Sequence, residues 1–202
     1  YNMIKALQDD GYDLIFVNFR EGAGDIFKNA ERLQQFLNEV INGPEFRDNK
    51  TEEIIMVGPS MGGLITRIAL REMEIRKEEH FVKSWISFDS PHSGAYIPLS
   101  IQYFLKLMSE SKIEEIKKQG DQKLVPLRSI AAQQLLNMHV LTSDNTSPTK
   151  LNLELYKYLD SIGYPTSVKR YGITNGGTTK LYEIEGLKKN IFNFKAEKKI
   201  GD

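Results

Sequence analysis

The feature that most constrains this chain is an apolar run that leads directly into a glycine-rich turn and then into a helical pattern. The run covers residues 54–57, and the turn reads Gly-Pro-Ser-Met-Gly-Gly over residues 58–63. A continuous apolar, β-branched run predicts a strand buried on both faces of a parallel sheet. Met61, Leu64 and Ile68 then recur at helical spacing. The sequence therefore predicts strand, sharp turn and helix in immediate succession.

The turn matches the pattern Gly-x-Ser-x-Gly, with Ser60 at its centre. Between a strand and a helix, this pattern is typical of a nucleophilic serine held on a strained backbone at the top of a sheet. Gly58 and Gly62 supply the small residues that such an elbow needs, and Gly63 adds further room. Met61 opens the helix, so its backbone N–H is the expected first donor of an oxyanion hole. The alternative is a tight strand-to-helix turn without chemistry.

Helices and strands alternate along the first half of the chain. We predict helices over residues 1–10, 27–41 and 61–73, and strands over residues 14–17, 54–57 and 81–88. This alternation favours βαβ units, hence an α/β fold with a mostly parallel sheet and helices on both faces. Right-handed crossovers place the loops after these strands along one edge of the sheet, so they should converge near Ser60.

The second half departs from this rhythm. Residues 96–145 are predicted to be amphipathic helices, either a helical cap inserted over the site or ordinary helices packed on the sheet. A polar loop follows at 143–149, then a helix at 151–162 and a strand at 168–173, and residues 181–194 fit a hairpin. Because neither a repeat nor a linker interrupts the pattern, residues 1–202 are predicted to form a single domain.

Composition and motif searches exclude several classes of function. Basic and acidic residues both number 27, so the chain lacks the basic excess of a nucleic-acid-binding protein. Without cysteine there can be no disulfide, thiolate metal site or cysteine nucleophile. Phe27 stands where a dinucleotide fingerprint needs glycine, and the turn at 58–63 lacks the lysine of a phosphate loop. We expect no metal, no cofactor, no nucleic-acid partner and no integral membrane segment.

A serine hydroxyl becomes a nucleophile when a base takes its proton and a third group orients that base. The chain has three histidines. His80 precedes a strand, on the wrong edge of the sheet, and is predicted to be solvated. His139 ends an apolar helical pattern and is predicted to be a packing or capping residue. His92 follows the strand at 81–88 on the correct edge, so it is the best base by position.

Asp89 is the leading candidate for the acid because it directly follows the strand at 81–88. The alternative is a turn residue whose carboxylate accepts backbone N–H bonds. Asp25 is predicted to be a helix N-cap. Asn175 follows the strand at 168–173, at the other usual position of the acid, but an amide cannot replace a carboxylate.

The order of residues along the chain leaves the base open. In this type of site the histidine comes last, after the serine and the acid, yet no histidine follows His139. Three hypotheses remain: the base lies beyond Asp202, His92 serves in an unusual position, or catalysis has been lost.

The two motifs resemble those of the lipase/esterase branch of the α/β-hydrolases. Residues 58–63 are similar to its G-x-S-x-G-G elbow, and residues 88–94 resemble its "TPHxG"-like turn, with Ser90 in place of threonine. The resemblance covers residues 11–175 and is strongest to bacterial serine-esterase-like proteins, which are often exported. It implies Ser60 as the nucleophile and Met61 as the first oxyanion donor.

The same resemblance implies that the histidine of the "PH" turn is not the triad base, which argues against His92. It also implies that the second oxyanion donor comes from a loop before the helix that begins at Tyr1. The first strands of the family would precede that helix too. We therefore expect the sequence to be a piece of a longer protein.

The expected function is hydrolysis of carboxylic esters, lipidic or acylated, through an acyl-enzyme on Ser60, with residues 97–108 lining the acyl pocket. Thioester or amide cleavage would use the same residues. The alternative is a non-catalytic binding or scaffold module that keeps the elbow for folding. The resemblance points weakly to an exported or cell-envelope location, and the sequence decides neither the substrate nor the oligomeric state.

Overall fold

The structure is a computed structural model that describes residues 3–43, 53–140 and 147–175. The predicted hairpin at 181–194 lies outside the described residues. The elements in chain order are α1 (Met3–Asp9), α2 (Ile26–Phe36) with a π-helical turn (Leu37–Ile41), β1 (Ile54–Pro59), α3 (Met61–Ile75), β2 (Val82–Phe88), α4 (Leu99–Ser109), α5 (Glu114–Arg128), α6 (Ile130–Leu135), α7 (Lys150–Ile162) and β3 (Lys169–Ile173).

The three strands form one parallel sheet in the order β1-β2-β3. Pro59 pairs with Phe88, and Phe88 pairs with Ile173, so the carboxyl ends of all three strands lie side by side. Helix α3 connects β1 to β2, as a βαβ unit requires. The prediction of an α/β fold with a parallel sheet is confirmed.

The main core lies between the sheet and helices α2, α3 and α7. Apolar residues at helical spacing face inward from each helix, and Trp85 of β2 meets them from the sheet. Its fully or almost fully buried members include Ile26, Ala30, Leu33, Leu64, Ile65, Ile68, Ala69, Leu70, Met73, Leu155 and Leu159. This packing fixes α3, and with it the turn that precedes α3.

The prediction that residues 54–57 are buried on both faces is wrong. Ile55 and Val57 are 45% and 54% exposed, whereas Ile54 and Met56 are partly buried against the core. Side chains alternate between the two faces of a strand, and the core covers the face that carries Met56 and Trp85.

The predicted strand at 14–17 is also wrong, because the structure has no strand between Tyr12 and Phe19. Ile15 and Val17 are about half exposed, and Phe16 is 73% exposed. An apolar run supplies strand propensity, but a strand forms only when a neighbouring strand completes its hydrogen bonds. Among the described residues none pairs with this segment.

Helices α4, α5 and α6 lie between β2 and β3 in the chain and have a small core of their own. Its buried residues are Leu124, Leu127 and Leu136, and Ile97 and Leu105 pack against them. The helical insertion after β2 is therefore present within residues 96–140, and the rest of the predicted 96–145 range lies outside the described residues. Its role as a cap over the site stays a prediction.

Candidate active site

Ser60 lies between the end of β1 and the first residue of α3, and its backbone is strained. Its φ is 50° and its ψ is −125°, a conformation that costs an L-residue about 1–3 kcal/mol. The Ser60 N–H donates to the carbonyl of Phe88 on β2 at 2.7 Å, which fixes the turn to the neighbouring strand. Ser60 is exposed, and its side chain makes no capping bond within the described helix. The hydroxyl is therefore presented at the carboxyl edge of the sheet.

Two glycines make this turn possible because a side chain at either position would collide with its neighbours. A Cβ on Gly58 would lie 2.6 Å from both the Gly62 carbonyl oxygen and Thr66 Oγ1. A Cβ on Gly63 would overlap the side chain of Ser90 and approach Ser87 Oγ to 2.7 Å. Gly62 has more room, since its nearest neighbour would be Pro59 Cδ at 3.3 Å. Gly58 and Gly63 are thus the sterically required glycines of the predicted elbow.

The N-terminus of α3 lies directly after Ser60. Met61 is its first residue, so its N–H has no carbonyl one turn earlier within the helix to bond. The helix is 15 residues long, and its positive dipole end adds to the field of this N–H. The arrangement can stabilise an oxyanion that forms on a group attached to Ser60.

Asp89 is the second strained residue at this edge, with a φ of 48°. It follows Phe88, the register partner of Pro59, so Ser60 and Asp89 occupy equivalent positions on neighbouring strands that lie about 4.8 Å apart. The structure therefore brings these two predicted site residues to adjacent strand ends.

The Asp89 carboxylate accepts two side-chain hydrogen bonds from the end of β3. Thr174 Oγ1 donates to Oδ1 at 3.2 Å, and Asn175 Nδ2 donates to Oδ2 at 3.0 Å. Sequence reasoning noticed Asn175 but rejected it as an acid, and it missed Thr174. The signal was the position of both residues directly after a predicted strand of the same sheet.

The structure does not bring His92 to Ser60. Its Nε2 lies 2.7 Å from Ser87 Oγ, and its ring packs edge-on against Trp85 and Tyr164. Its Nδ1 is buried with no hydrogen-bond partner in the described part of the chain. Burial, aided by the positive charge of Arg67, lowers the pKa of His92 to about 4. His92 is a partly buried, neutral imidazole here, and the geometry does not support it as the base.

His80 is buried, at 5% exposed, so the prediction that it is solvated is wrong. Its Nδ1 accepts the Val82 N–H at 3.0 Å, and its Nε2 lies 3.2 Å from Ser167 Oγ. Because Nδ1 accepts a hydrogen bond, the proton of the neutral ring sits on Nε2, which faces Ser167 as a donor. Burial lowers the pKa of His80. Ser167 itself donates to Glu74 at 2.7 Å. Ser167, His80 and Glu74 therefore have the composition of a triad, but His80 is a donor towards Ser167 and cannot take its proton.

His139 is fully buried, and its Nε2 lies 2.7 Å from the carbonyl of Leu127 near the end of α5. The prediction of a packing or capping residue is confirmed. Across residues 3–43, 53–140 and 147–175, none of the three imidazoles is hydrogen-bonded to Ser60.

A comparison with known protein families matches residues 22–161 to the PGAP1-like alpha/beta domain. The chain belongs to this family. No curated protein and no solved structure matches the chain. The PGAP1-like alpha/beta domain is a lipase/esterase-like α/β-hydrolase family, which confirms the resemblance seen in the two motifs.

In this PGAP1-like domain the family match includes the elbow, Asp89 and all the helices from α3 to α6. It ends before β3, so Thr174 and Asn175 lie outside the matched range.

Among the described residues no three His, Asp or Glu side chains form a group that could hold a metal ion. None of the described helices is both long and apolar enough to cross a membrane.

Proposed function

We propose that this domain is a serine hydrolase that cleaves carboxylic esters through an acyl-enzyme on Ser60. The observation that carries the proposal is the strained, exposed Ser60 between β1 and the N-terminus of α3. A purely structural turn has no need to hold a serine at a φ of 50°, where glycine would be free of strain.

In this proposal Ser60 Oγ attacks the ester carbonyl carbon while a base takes the hydroxyl proton. The carbonyl oxygen becomes an oxyanion that accepts a hydrogen bond from the Met61 N–H. The base then protonates the leaving alcohol as the C–O bond breaks, and water hydrolyses the acyl-enzyme by the same steps. Asp89 is the acid that orients the base and stabilises its charged form.

The base and the second oxyanion donor are not among the groups described above. The prediction that an imidazole beyond Asp202 acts as the base stays a prediction, as does a second donor from before Tyr1. The histidine would have to reach both Ser60 and Asp89, which the adjacent strand ends make geometrically possible.

An apolar acyl group is supported by the surface of α4. Ile101, Tyr103 and Phe104 are each exposed by 41–45%, and Leu107 by 68%, while Gln102 of the same helix is buried. An exposed apolar helix side is unusual for a surface helix and fits contact with an apolar substrate. We therefore propose lipidic or acylated esters as the substrate class.

The test is hydrolysis of p-nitrophenyl esters of increasing acyl length. We expect the rate to rise with chain length and to fall by at least about a thousandfold in Ser60→Ala. Ser161→Ala, which changes an exposed serine near the end of α7, is the matched control and should keep the rate. Ser60→Ala with wild-type turnover would overturn the proposal. A panel of thioesters and amides separates ester cleavage from those chemistries.

The second candidate function is a binding or scaffold module without turnover. It is favoured by one observation, that none of the three imidazoles is hydrogen-bonded to Ser60 within the described residues. Such a module would bind a long-chain ester equally well as wild type and as Ser60→Ala, and would hydrolyse it in neither form.

A further inference from the structure

We infer that Thr174 and Asn175 are positioning residues that hold the Asp89 carboxylate in the orientation needed to receive the catalytic base. The catalytic consequence rests on the proposed function, whereas the hydrogen bonds themselves do not. The inference adds to the site two residues of the third strand end, which the elbow motif does not include.

The backbone brings the three residues together. Phe88 pairs with Ile173 in the parallel sheet, and the Asp89 N–H donates to the Ile173 carbonyl at 2.6 Å. Thr174 and Asn175 follow directly, so the register places their side chains beside Asp89. Any slip of β3 against β2 would separate all three at once.

Each carboxylate oxygen has its own donor. Thr174 Oγ1 reaches Oδ1 at 3.2 Å and Asn175 Nδ2 reaches Oδ2 at 3.0 Å. Asp89 is exposed, so without these donors its side chain would be free to rotate in solvent. Each ionised oxygen can accept more than one hydrogen bond, which leaves capacity for the N–H of an imidazole.

The chemistry of Asn175 suits this role better than a second acid would. An amide donates a hydrogen bond and carries no charge, so it supports a neighbouring carboxylate without competing for its partner. A carboxylate at position 175 would repel Asp89 at contact distance. The asparagine at the position of an alternative acid is thereby explained as a donor to the acid on the neighbouring strand.

The donors also distinguish Asp89 from an ordinary turn residue. An aspartate that stabilises its own turn accepts backbone N–H groups one or two residues later. The two side-chain bonds described here come from residues 85 and 86 positions away in the chain. They orient a carboxylate at the edge of the sheet and make no contribution to the turn at 89–92.

The test is a double-mutant cycle on ester hydrolysis by the full-length protein. Asn175→Ala should lower kcat about tenfold with KM unchanged, the effect of losing one hydrogen bond to a charged group. In an Asp89→Asn background the same change should have no further effect, because the group it positions is gone. Thr174→Val should lower kcat and Thr174→Ser should restore it, since serine keeps the hydroxyl.

A pH profile gives a readout that a loss of packing would not produce. Asn175→Asp places a second negative charge beside the site, and nearby negative charge favours the protonated, positively charged form of the base. The acid limb of its kcat profile should therefore move to higher pH. Equal losses for Asn175→Ala in both backgrounds, or an unmoved acid limb, would overturn the inference. Thermal melts identify any variant that fails to fold.

An NMR measurement decides the contact even if the protein hydrolyses no ester. The side-chain amide protons of Asn175 should shift as acid is added to the wild type and should stay still in Asp89→Asn. Absence of the wild-type shift overturns the inference. If Ser60→Ala keeps full ester turnover, the proposed function fails, while the NMR result still tests the positioning of Asp89.

Discussion

At the scale of single residues, backbone strain marks the candidate site. Four described non-glycine residues have a positive φ, namely Ser60, Lys77, Phe81 and Asp89. Lys77 and Phe81 lie in the connection from α3 to β2, whereas Ser60 and Asp89 lie side by side after β1 and β2. Strained residues persist when their surroundings over-determine them, and at this edge the close-packed glycines and the sheet register do so.

The first prediction concerns the close contacts at the elbow. Gly63→Ala forces a methyl group against Ser87 and Ser90, so it should destabilise the fold by about 1–3 kcal/mol. Gly62→Ala, one residue earlier in the same helix, meets only Pro59 Cδ at 3.3 Å and should change stability by less than about 1 kcal/mol. Urea unfolding of both variants measures the difference, and equal losses would contradict the packing described.

The second prediction concerns the partly buried imidazole of His92. Its pKa is about 4 in the fold, below the ordinary value of 6.5, so the unfolded chain binds a proton more readily. The contribution of neutral His92 to the unfolding free energy is fully present above pH 6.5. It is lost as the pH falls towards 4, by at most about 1.4 kcal/mol per pH unit. His92→Gln should therefore show a shallower loss of unfolding free energy than wild type over this range.

Burial lowers the pKa of His80 as well, and His80 is present in both the wild type and His92→Gln. The unfolding free energy of the variant should therefore still decrease somewhat as the pH falls. Identical slopes for wild type and variant would mean that His92 is not buried and neutral as the structure places it.

The residues of the site were predictable to the extent that their signals are local. Ser60 and its glycines follow from one turn between a strand and a helix. The surroundings of His92 do not, because Tyr164, which packs edge-on against the imidazole, lies beyond α7 and 72 positions away in the chain. His80 was misjudged for the same reason, since the residues around it include Ser167, two positions before β3.

At the scale of elements, Glu74 near the end of α3 fixes the entry to β3. It accepts the backbone N–H groups of Thr166 and Ser167 at 2.7–2.8 Å and the Ser167 hydroxyl at 2.7 Å. Arg71 bonds the same carboxylate at 2.9 Å. Burial alone would raise the pKa of Glu74, but the bonds from Ser167, Thr166 and Arg71 together lower it to about 2.

The third prediction follows from this depressed pKa. Stability from ionised Glu74 is fully present above the ordinary value of 4.5 and is lost as the pH falls towards 2. Glu74→Gln should lower the unfolding free energy by about 2 kcal/mol at pH 7, and the deficit should shrink towards pH 2. Glu31→Gln, on the exposed side of α2, is the control and should stay within about 0.5 kcal/mol of wild type. A deficit that is constant with pH would contradict the role given to the charge.

The errors at this scale have one physical cause. A charged residue in a helix is expected to face solvent, yet Arg67 of α3 is buried and donates to the carbonyls of Leu159 and Gly163 at the end of α7. Its guanidinium also stacks on Tyr164 at 3.7 Å. Periodicity assigns charged residues to solvent, but an arginine that caps a distant helix can be satisfied inside. The strand prediction for residues 14–17 was wrong for a similar reason, because a strand also depends on a partner that is distant in the chain.

At the scale of the whole molecule, the parallel sheet gathers the site from three distant parts of the chain. Its register sets Ser60, Asp89 and the pair Thr174–Asn175 at three adjacent strand ends. The order of helices and strands was enough to predict that the ends of β1 and β2 converge, because parallel strands share one carboxyl edge. The segment at 14–17, whose end was predicted to lie there too, forms no strand. Which side chains meet there depended on the register, which the sequence pattern does not specify.

The most direct test of the central claim is labelling with a fluorophosphonate, followed by mapping of the modified peptide. An activated Ser60 should displace the fluoride and carry the phosphonate. The adduct should be absent from Ser60→Ala, whereas Ser161→Ala should be labelled like the wild type. Labelling of wild type and Ser60→Ala to the same extent would contradict the assignment of Ser60 as the nucleophile.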